Sequence, residues 1–174
     1  MTAPRTRRLS AEVPDVEAHL DLAARQLADP RVAPWHGGAR DRDQALAMLE
    51  AQAEQQAREG YCLWWWRERE SGELVGWTGL NRDRVEGLPV VEVGWSITPS
   101  CWGRGLATEA GLASIEWGFS RASLERIVSF SLPHNLPSRR VMEKLGMGYV
   151  REFERRGLPH VLYVVEARPP RHHR

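Results

Sequence analysis

Residues 90–121 place a strand, a glycine-bearing turn and a helix in immediate succession, which limits the chain to folds that lay helices on a sheet. Val90 to Ile97 alternates: Val91, Val93, Trp95 and Ile97 share one face, and Glu92, Gly94 and Ser96 the other. Pro99 stops the strand. The run TrpGlyArgGlyLeuAlaThrGlu (102–109) then leads into a helix from Gly105 to Arg121, with Leu106, Leu112, Ile115 and Phe119 as its apolar stripe. Glycine lets the chain turn sharply and lets a ligand come close to the backbone. The first amides of a helix have no internal partners, and with the helix dipole they form a site for phosphate or pyrophosphate. The Walker pattern GxxxxGK[ST] is absent, and Thr108 stands where GxGxxG needs its third glycine. Neither a P-loop nor a Rossmann dinucleotide site is supported.

The rest of the chain supplies the layers. A short strand is expected at Thr6–Leu9, and a helix at Asp15–Ala28 with Val16, Leu20, Ala23, Ala24 and Leu27 at helical spacing. Asp41 and Gln44 form a capping box opening a second helix that runs to Glu59. Tyr61–Arg69 and Leu74–Leu80, joined at Ser71-Gly72, read as a hairpin. Arg126–Leu132 is a strand, and Asn135–Leu145 a helix with Asn135 as N-cap, Pro137 in the first turn and Gly146 beyond its end. Tyr149–Phe153 and Leu158–Glu166 close the chain as strands. The order implies an α/β or α+β fold with a mixed sheet in one domain, residues 1–168, followed by a loose tail at 169–174.

Charge narrows the partners. With 24 basic and 23 acidic residues the formal net charge is +1, which argues against a protein that coats nucleic acid or an anionic membrane. Cys62 and Cys101 show neither CxxC pairing nor metal-ligand spacing, so a reducing compartment is expected. The basic start has no apolar stretch behind it, and no apolar run reaches the ~20 residues of a membrane span. A soluble cytoplasmic protein is expected. The Trp64-Trp65-Trp66 run should feed both faces of a sheet rather than stack on bases.

The run VEVGWSITPSCWGRGLATEA, followed downstream by HNLPSRRVMEKLGM, resembles the GCN5-related N-acetyltransferases (GNAT), in particular the RimJ/RimL-like branch. The resemblance spans about Arg7 to Val165. It implies a single mixed, mostly antiparallel sheet of six or seven strands with about four helices and a splayed parallel strand pair. It also implies acetyl-CoA as the acyl donor. The phosphate-binding pattern of the family falls on Trp102, Gly105 and Ala107, so the backbone of Trp102, Gly103, Arg104, Gly105, Leu106, Ala107 and Thr108 should hold the coenzyme's pyrophosphate. Trp95, Ser96 and Ile97 should line the pantetheine with main-chain groups, and Asn135 should bond the cofactor arm with Ser138 one turn on. Many members carry a Tyr seven residues after that Asn; here Met142 stands in its place.

The chemistry requires an acceptor amine to lose a proton before it attacks a thioester. Glu92, on the strand beside the proposed thioester, is the expected base, directly or through water, or else a carboxylate paired with an arginine. Strand amides near Ile97 would stabilise the carbonyl oxygen as it gains charge. Ser138 or water would protonate the departing thiolate. Asn135 reads equally as a plain N-cap. Arg139 and Arg140 would either reach the 3′-phosphate or form a solvated face. Cys101 has no evident base, which points to direct transfer in a ternary complex. His134 and His160 lack a ligand cluster, so no metal is expected; His160 would border the acceptor pocket or sit in a plain loop. That pocket should form from the early helices, the hairpin and the last two strands, and take a peptide N-terminus or a small-molecule amine. A non-catalytic acyl-CoA-binding module on the same scaffold is the competing reading. The eight tryptophans leave room for an apolar homodimer contact.

Overall fold

The computed structural model describes residues 2–167; the tail expected at 169–174 lies outside them. The described elements run β1 (Leu9–Glu12), α1 (Val16–Ala28), α2 (Arg42–Glu59), β2 (Leu63–Glu68), β3 (Leu74–Val85), β4 (Leu88–Ile97), α3 (Leu106–Arg121), β5 (Arg126–Ser131), α4 (Leu136–Lys144), β6 (Gly148–Arg155) and β7 (Leu158–Glu166). Short 3₁₀ turns lie at Ala33–His36 and Pro99–Cys101. The local chemistry accounts for the helix limits. Asp15 accepts from the Ala18 amide, Asp41 and Gln44 close their box reciprocally, and Asn135 caps α4.

The seven strands form one sheet in the order β1-β2-β3-β4-β5-β7-β6. All neighbours pair antiparallel except β4 and β5, which are parallel. This is the expected mixed sheet with four helices. α1 and α2 cover one face, burying Ala23, Leu27 and Leu49 against Trp65 and Trp77. α3 and α4 cover the other, where Trp64, Val93, Ile115, Trp117 and Met142 share the largest buried cluster. The three consecutive tryptophans divide between these layers: Trp64 and Trp66 face α3, and Trp65 faces the early helices. No helix among the described residues is long and apolar enough to cross a membrane.

Three expected limits shift. The first strand is Leu9–Glu12, not Thr6–Leu9, because Thr6 folds back on Leu9 and Arg8 is tied to α3 (Thr6 N–H to Leu9 O, 2.8 Å). β3 continues past Leu80 to Val85, and β4 starts at Leu88, making one long hairpin around Glu86-Gly87. β6 extends on both sides of Tyr149–Phe153 through its ladder with β7.

Candidate active site

The site starts from a parting of strands. Among the described residues, β4 and β5 share one bridge, Glu92 with Val128, and then separate toward the C-terminal end of β4. Strand alternation decides what enters the gap. The Thr98 amide bonds Val75 O across to β3, so the antiparallel ladder turns the main chain of Ser96 toward β3 and that of Trp95 and Ile97 toward the opening. The Trp102 indole N–H donates to Ile97 O at 2.7 Å and pins the following turn against the strand. The Ser96 carbonyl accepts from Gln26 Nε2 at 2.9 Å, and its side chain lies on the face of β4 that α1 covers.

That face carries a buried polar relay. Gln26 Nε2 also donates to Ser96 Oγ (2.8 Å), Thr98 Oγ1 donates to Gln26 Oε1 (3.2 Å), and His36 Nε2 lies 3.1 Å from Ser96 Oγ. Burial, with a smaller push from the Arg40 charge, brings the His36 imidazole down to about 4, so it is neutral near pH 7. The relay fastens α1 and the Ala33–His36 turn to β4. In the same turn Trp35 packs against His134 (ring centroids 5.5 Å), which ties that turn to the segment just before α4.

The turn before α3 has the shape an anion needs. Gly103 and Gly105 adopt φ of +75° and +74°, a region side chains rarely enter. A Cβ at Gly103 would meet nothing within 4 Å, and at Gly105 only Arg8 Nη2 at 3.8 Å. The first intrahelical bond is Glu109 N–H to Gly105 O, and no side chain caps the helix. The amides of Leu106, Ala107 and Thr108 therefore open onto free space. Leu106 itself anchors the turn in the core. Trp102 is half exposed beside it. Arg104 turns its guanidinium to Glu68 and its carbonyl to Arg8 Nη1 (3.0 Å), leaving the corner clear. Beneath it, Glu109 accepts from Thr6 Oγ1 (2.6 Å), the Arg8 amide (3.0 Å) and Arg8 Nε (2.6 Å). Burial opposes its ionisation, but these bonds hold the carboxyl below its usual range.

Across the gap, Asn135 Oδ1 accepts from the Ser138 amide at 3.3 Å, while its Nδ2 makes no hydrogen bond among the described residues. Capping and ligand binding thus use different atoms. Ser138 is half buried, and its hydroxyl makes no hydrogen bond among the described residues. Met142, where the resemblance would lead one to expect a Tyr, is buried in the main core. Arg139 is committed to Pro133 O (3.0 Å) and the Tyr163 hydroxyl (3.4 Å).

Glu92 is half buried on the face of β4 opposite α3. Burial pushes its carboxyl up to about 8; the Asp83 charge adds to the rise, while Arg155 and a hydrogen bond with Asn81 oppose it. Among the described residues Glu92 makes no ion pair, because Arg155 is bound to Asp83 at 2.9 and 3.1 Å and lies 4.7 Å over the Phe130 ring. His160 borders this region, 6.1 Å from Phe130. Sequence reasoning did not find Gln26, His36, Asn81, Asp83 or Arg155. Asn81 could have been found by counting back from the Glu86-Gly87 turn, which sets it opposite Glu92.

The pattern of the acetyltransferase (GNAT) domain matches residues 8–148. The chain is 27% identical over 160 residues to the uncharacterised N-acetyltransferase p20 of Bacillus licheniformis, covering 86% of each. It is 28% identical over 135 residues to the uncharacterised protein YkkB of Bacillus subtilis, covering 78% of each. A crystal structure of an acetyltransferase from Agrobacterium tumefaciens superposes with a TM-score of 0.84 at 26% identity, covering 96% of this chain and 95% of that one. The family pattern spans most of the chain and the fold is shared, so the chain belongs to the GNAT acetyltransferase family, whose acetyl donor is acetyl-CoA.

Proposed function

We propose that this acetyltransferase moves an acetyl group from acetyl-CoA directly to a primary amine, with Glu92 as the base. The observation that carries the reading is the place of Glu92 at the bridge where β4 and β5 part, with no ion pair among the described residues, and burial raises the proton affinity of its carboxyl. The amine needs such a group, since an α-amine titrates at about 8 and a lysine-type amine at ~10.4. A base near 8 accepts a proton from either without a large uphill transfer.

Bound acetyl-CoA supplies a thioester already activated toward amines. The backbone of residues 102–108 grips the diphosphate, in keeping with the open space over Gly103 and the free amides of Leu106–Thr108. Trp95 and Ile97 present main-chain groups to the pantetheine, and their N–H groups face oxygen that gains charge. Asn135 Nδ2 donates to the cofactor arm. Ser138, or water, returns a proton to the sulfur. Neither cysteine offers a covalent route: burial pushes the Cys62 thiol up, and Cys101 is buried with Ser100 Oγ at 3.9 Å and Arg104 Nη1 at 4.0 Å, neither of them a base. The Trp at 102 favours the RimJ/RimL-like branch, and the unpaired cysteines a cytoplasmic setting.

Gly105→Glu tests the phosphate assignment. The variant places a side chain at a positive φ and a negative charge at the helix start, and CoA affinity falls about tenfold or more. Calorimetric titration with CoA reads the effect; unchanged affinity would remove the assignment.

A further inference from the structure

A carboxylate taken out of water is usually paired, and a cation beside it holds the carboxyl low. Glu92 has an arginine close by and does not bind it. Strand register fixes the arrangement. Glu92 stands opposite Asn81 on β3, and Asp83, two residues further on, is its diagonal neighbour on the same face. On its other side Glu92 bridges Val128, so Phe130, two residues beyond, shares that face as well. Arg155 comes from β6, three places along the sheet from β4, and its Cζ lies 4.7 Å from the Phe130 ring centroid. Its guanidinium is thus held by β3 on one side of Glu92 and rests on β5 on the other.

The hold on Arg155 is bidentate. Its Nη1 donates to Asp83 Oδ1 at 3.1 Å and to Arg84 O at 3.2 Å, and its Nη2 donates to Asp83 Oδ2 at 2.9 Å. A fork bound this way turns to a second carboxylate only by breaking the first pair. Both side chains are partly buried, so salt screens them little. The other charged groups nearby have partners or stand apart. Arg151 pairs with Glu86, Arg126 lies 4.0 Å from Glu166, and His160 Nδ1 lies 3.1 Å from Leu158 O. Arg58 on α2 pairs with Glu59, Arg40 just before that helix donates to His36 O, and Glu54 lines a cleft with Asn81. The charges that act on Glu92 are those of Asp83, which raises its proton affinity, and Arg155, which lowers it.

Building on Glu92 as the base, we infer that Asp83 is a positioning residue for the acetyl transfer: it holds Arg155 off Glu92, so that the base meets the acceptor amine unpaired. Removing Asp83 deletes the charge that raises Glu92 and frees the arginine that lowers it. Removing Arg155 does the reverse, because Asp83 is then an uncompensated negative charge beside a second carboxyl. With both removed the two effects cancel, and burial alone sets the proton affinity of Glu92. The sign of the change therefore alternates across the three variants, a pattern that a pair serving only to brace β6 against the hairpin does not produce.

The experiment titrates the full chain as wild type, Asp83→Asn, Arg155→Met and the double variant. Carboxyl-carbon NMR reads the midpoint of Glu92 directly, its signal assigned by its loss in Glu92→Gln. The expected midpoint lies at about 8 in the wild type, falls by about one unit or more in Asp83→Asn, rises in Arg155→Met and returns near the wild-type value in the double variant. Thiol release from acetyl-CoA, with a dipeptide amide or spermidine as acceptor, gives the rising limb of kcat/KM, which follows the same order. On its plateau Asp83→Asn is slower by about threefold to tenfold, because a less basic carboxylate takes the proton less readily. Asparagine keeps the shape of Asp83 and one acceptor oxygen, and melting temperatures report that each fold is intact; where Asp83→Asn fails to fold, the upward shift in Arg155→Met carries the test. Midpoints that stay fixed, or that move the same way in both single variants, overturn the proposal while leaving Glu92 as the base. Midpoints that alternate while the rate limb stays fixed and turnover survives in Glu92→Gln overturn the base itself, and with it any part for the pair in catalysis.

Discussion

Glu92→Gln lowers turnover by about 10²- to 10⁴-fold, the usual contribution of a positioned base, while CoA binds as tightly as before. The amide keeps the shape and the bond to Asn81 but takes no proton. The pH dependence of the wild type follows from the position near 8. kcat/KM rises with pH and levels above about 8, as the carboxyl of the free enzyme ionises. With a lysine-type acceptor, whose own titration lies at ~10.4, the rising limb of Glu92→Gln moves upward toward the amine. An unchanged limb and undiminished turnover would return Glu92 to a structural role.

The same carboxyl acts on stability with a definite sign. The folded chain holds this proton more tightly than the unfolded chain, whose glutamates titrate at the ordinary value of 4.5. The folded state therefore binds more protons between the two values, and its stability falls as pH rises from about 4.5 through about 8. Glu92→Gln abolishes that fall, so the variant melts higher than the wild type at pH 9 and similarly at pH 4. Melting curves at the two pH values check this without a substrate.

The second large effect is on folding. Gly76→Ala and Gly79→Ala each cost about 3 kcal/mol or more, enough to deplete the native state of a marginally stable domain. A Cβ at Gly76 would stand 2.1 Å from Ser96 O, and one at Gly79 2.2 Å from Cys62 O. Both obstacles are backbone, held in ladders with neighbouring strands, and neither can swing aside. Gly76 adds a φ of +127° that alanine does not accept cheaply. Gly94→Ala is the control: its Cβ would meet only Leu63 Cδ2 at 3.6 Å and Glu92 Oε1 at 3.8 Å, which is ordinary contact. Urea midpoints that fall sharply for Gly76 and Gly79 but stay within about 1 kcal/mol for Gly94 bear the argument out.

How much could be read in the sequence depended on the range of the interactions. The capping box of Asp41 and Gln44, the strand alternation around Val93 and the glycine turn before α3 are local, and each is present in the fold. The split of Trp64, Trp65 and Trp66 between two cores follows from the two-residue period alone. What escaped notice is held by distant partners. His36 acquires meaning only when the fold brings it to Ser96, 60 positions away, which also meets Gln26, 70 positions away. Asp83 and Arg155, separated by 72 positions, form their pair only once β6 is laid near the long hairpin. The direction of a strand carbonyl depends on the neighbouring strand it pairs with, so the bond from Gln26 to Ser96 O could not be read locally either.

The clasp of Thr6 and Arg8 on Glu109 joins chain segments 101 and 103 positions apart, directly beneath the open amides of α3. The first few peptide groups are therefore wired to the corner where the diphosphate is proposed to sit. Tightening there would slow isotope exchange at the far end of the primary structure, so the N-terminal amides become a reporter of coenzyme loading that needs no label in the pocket itself.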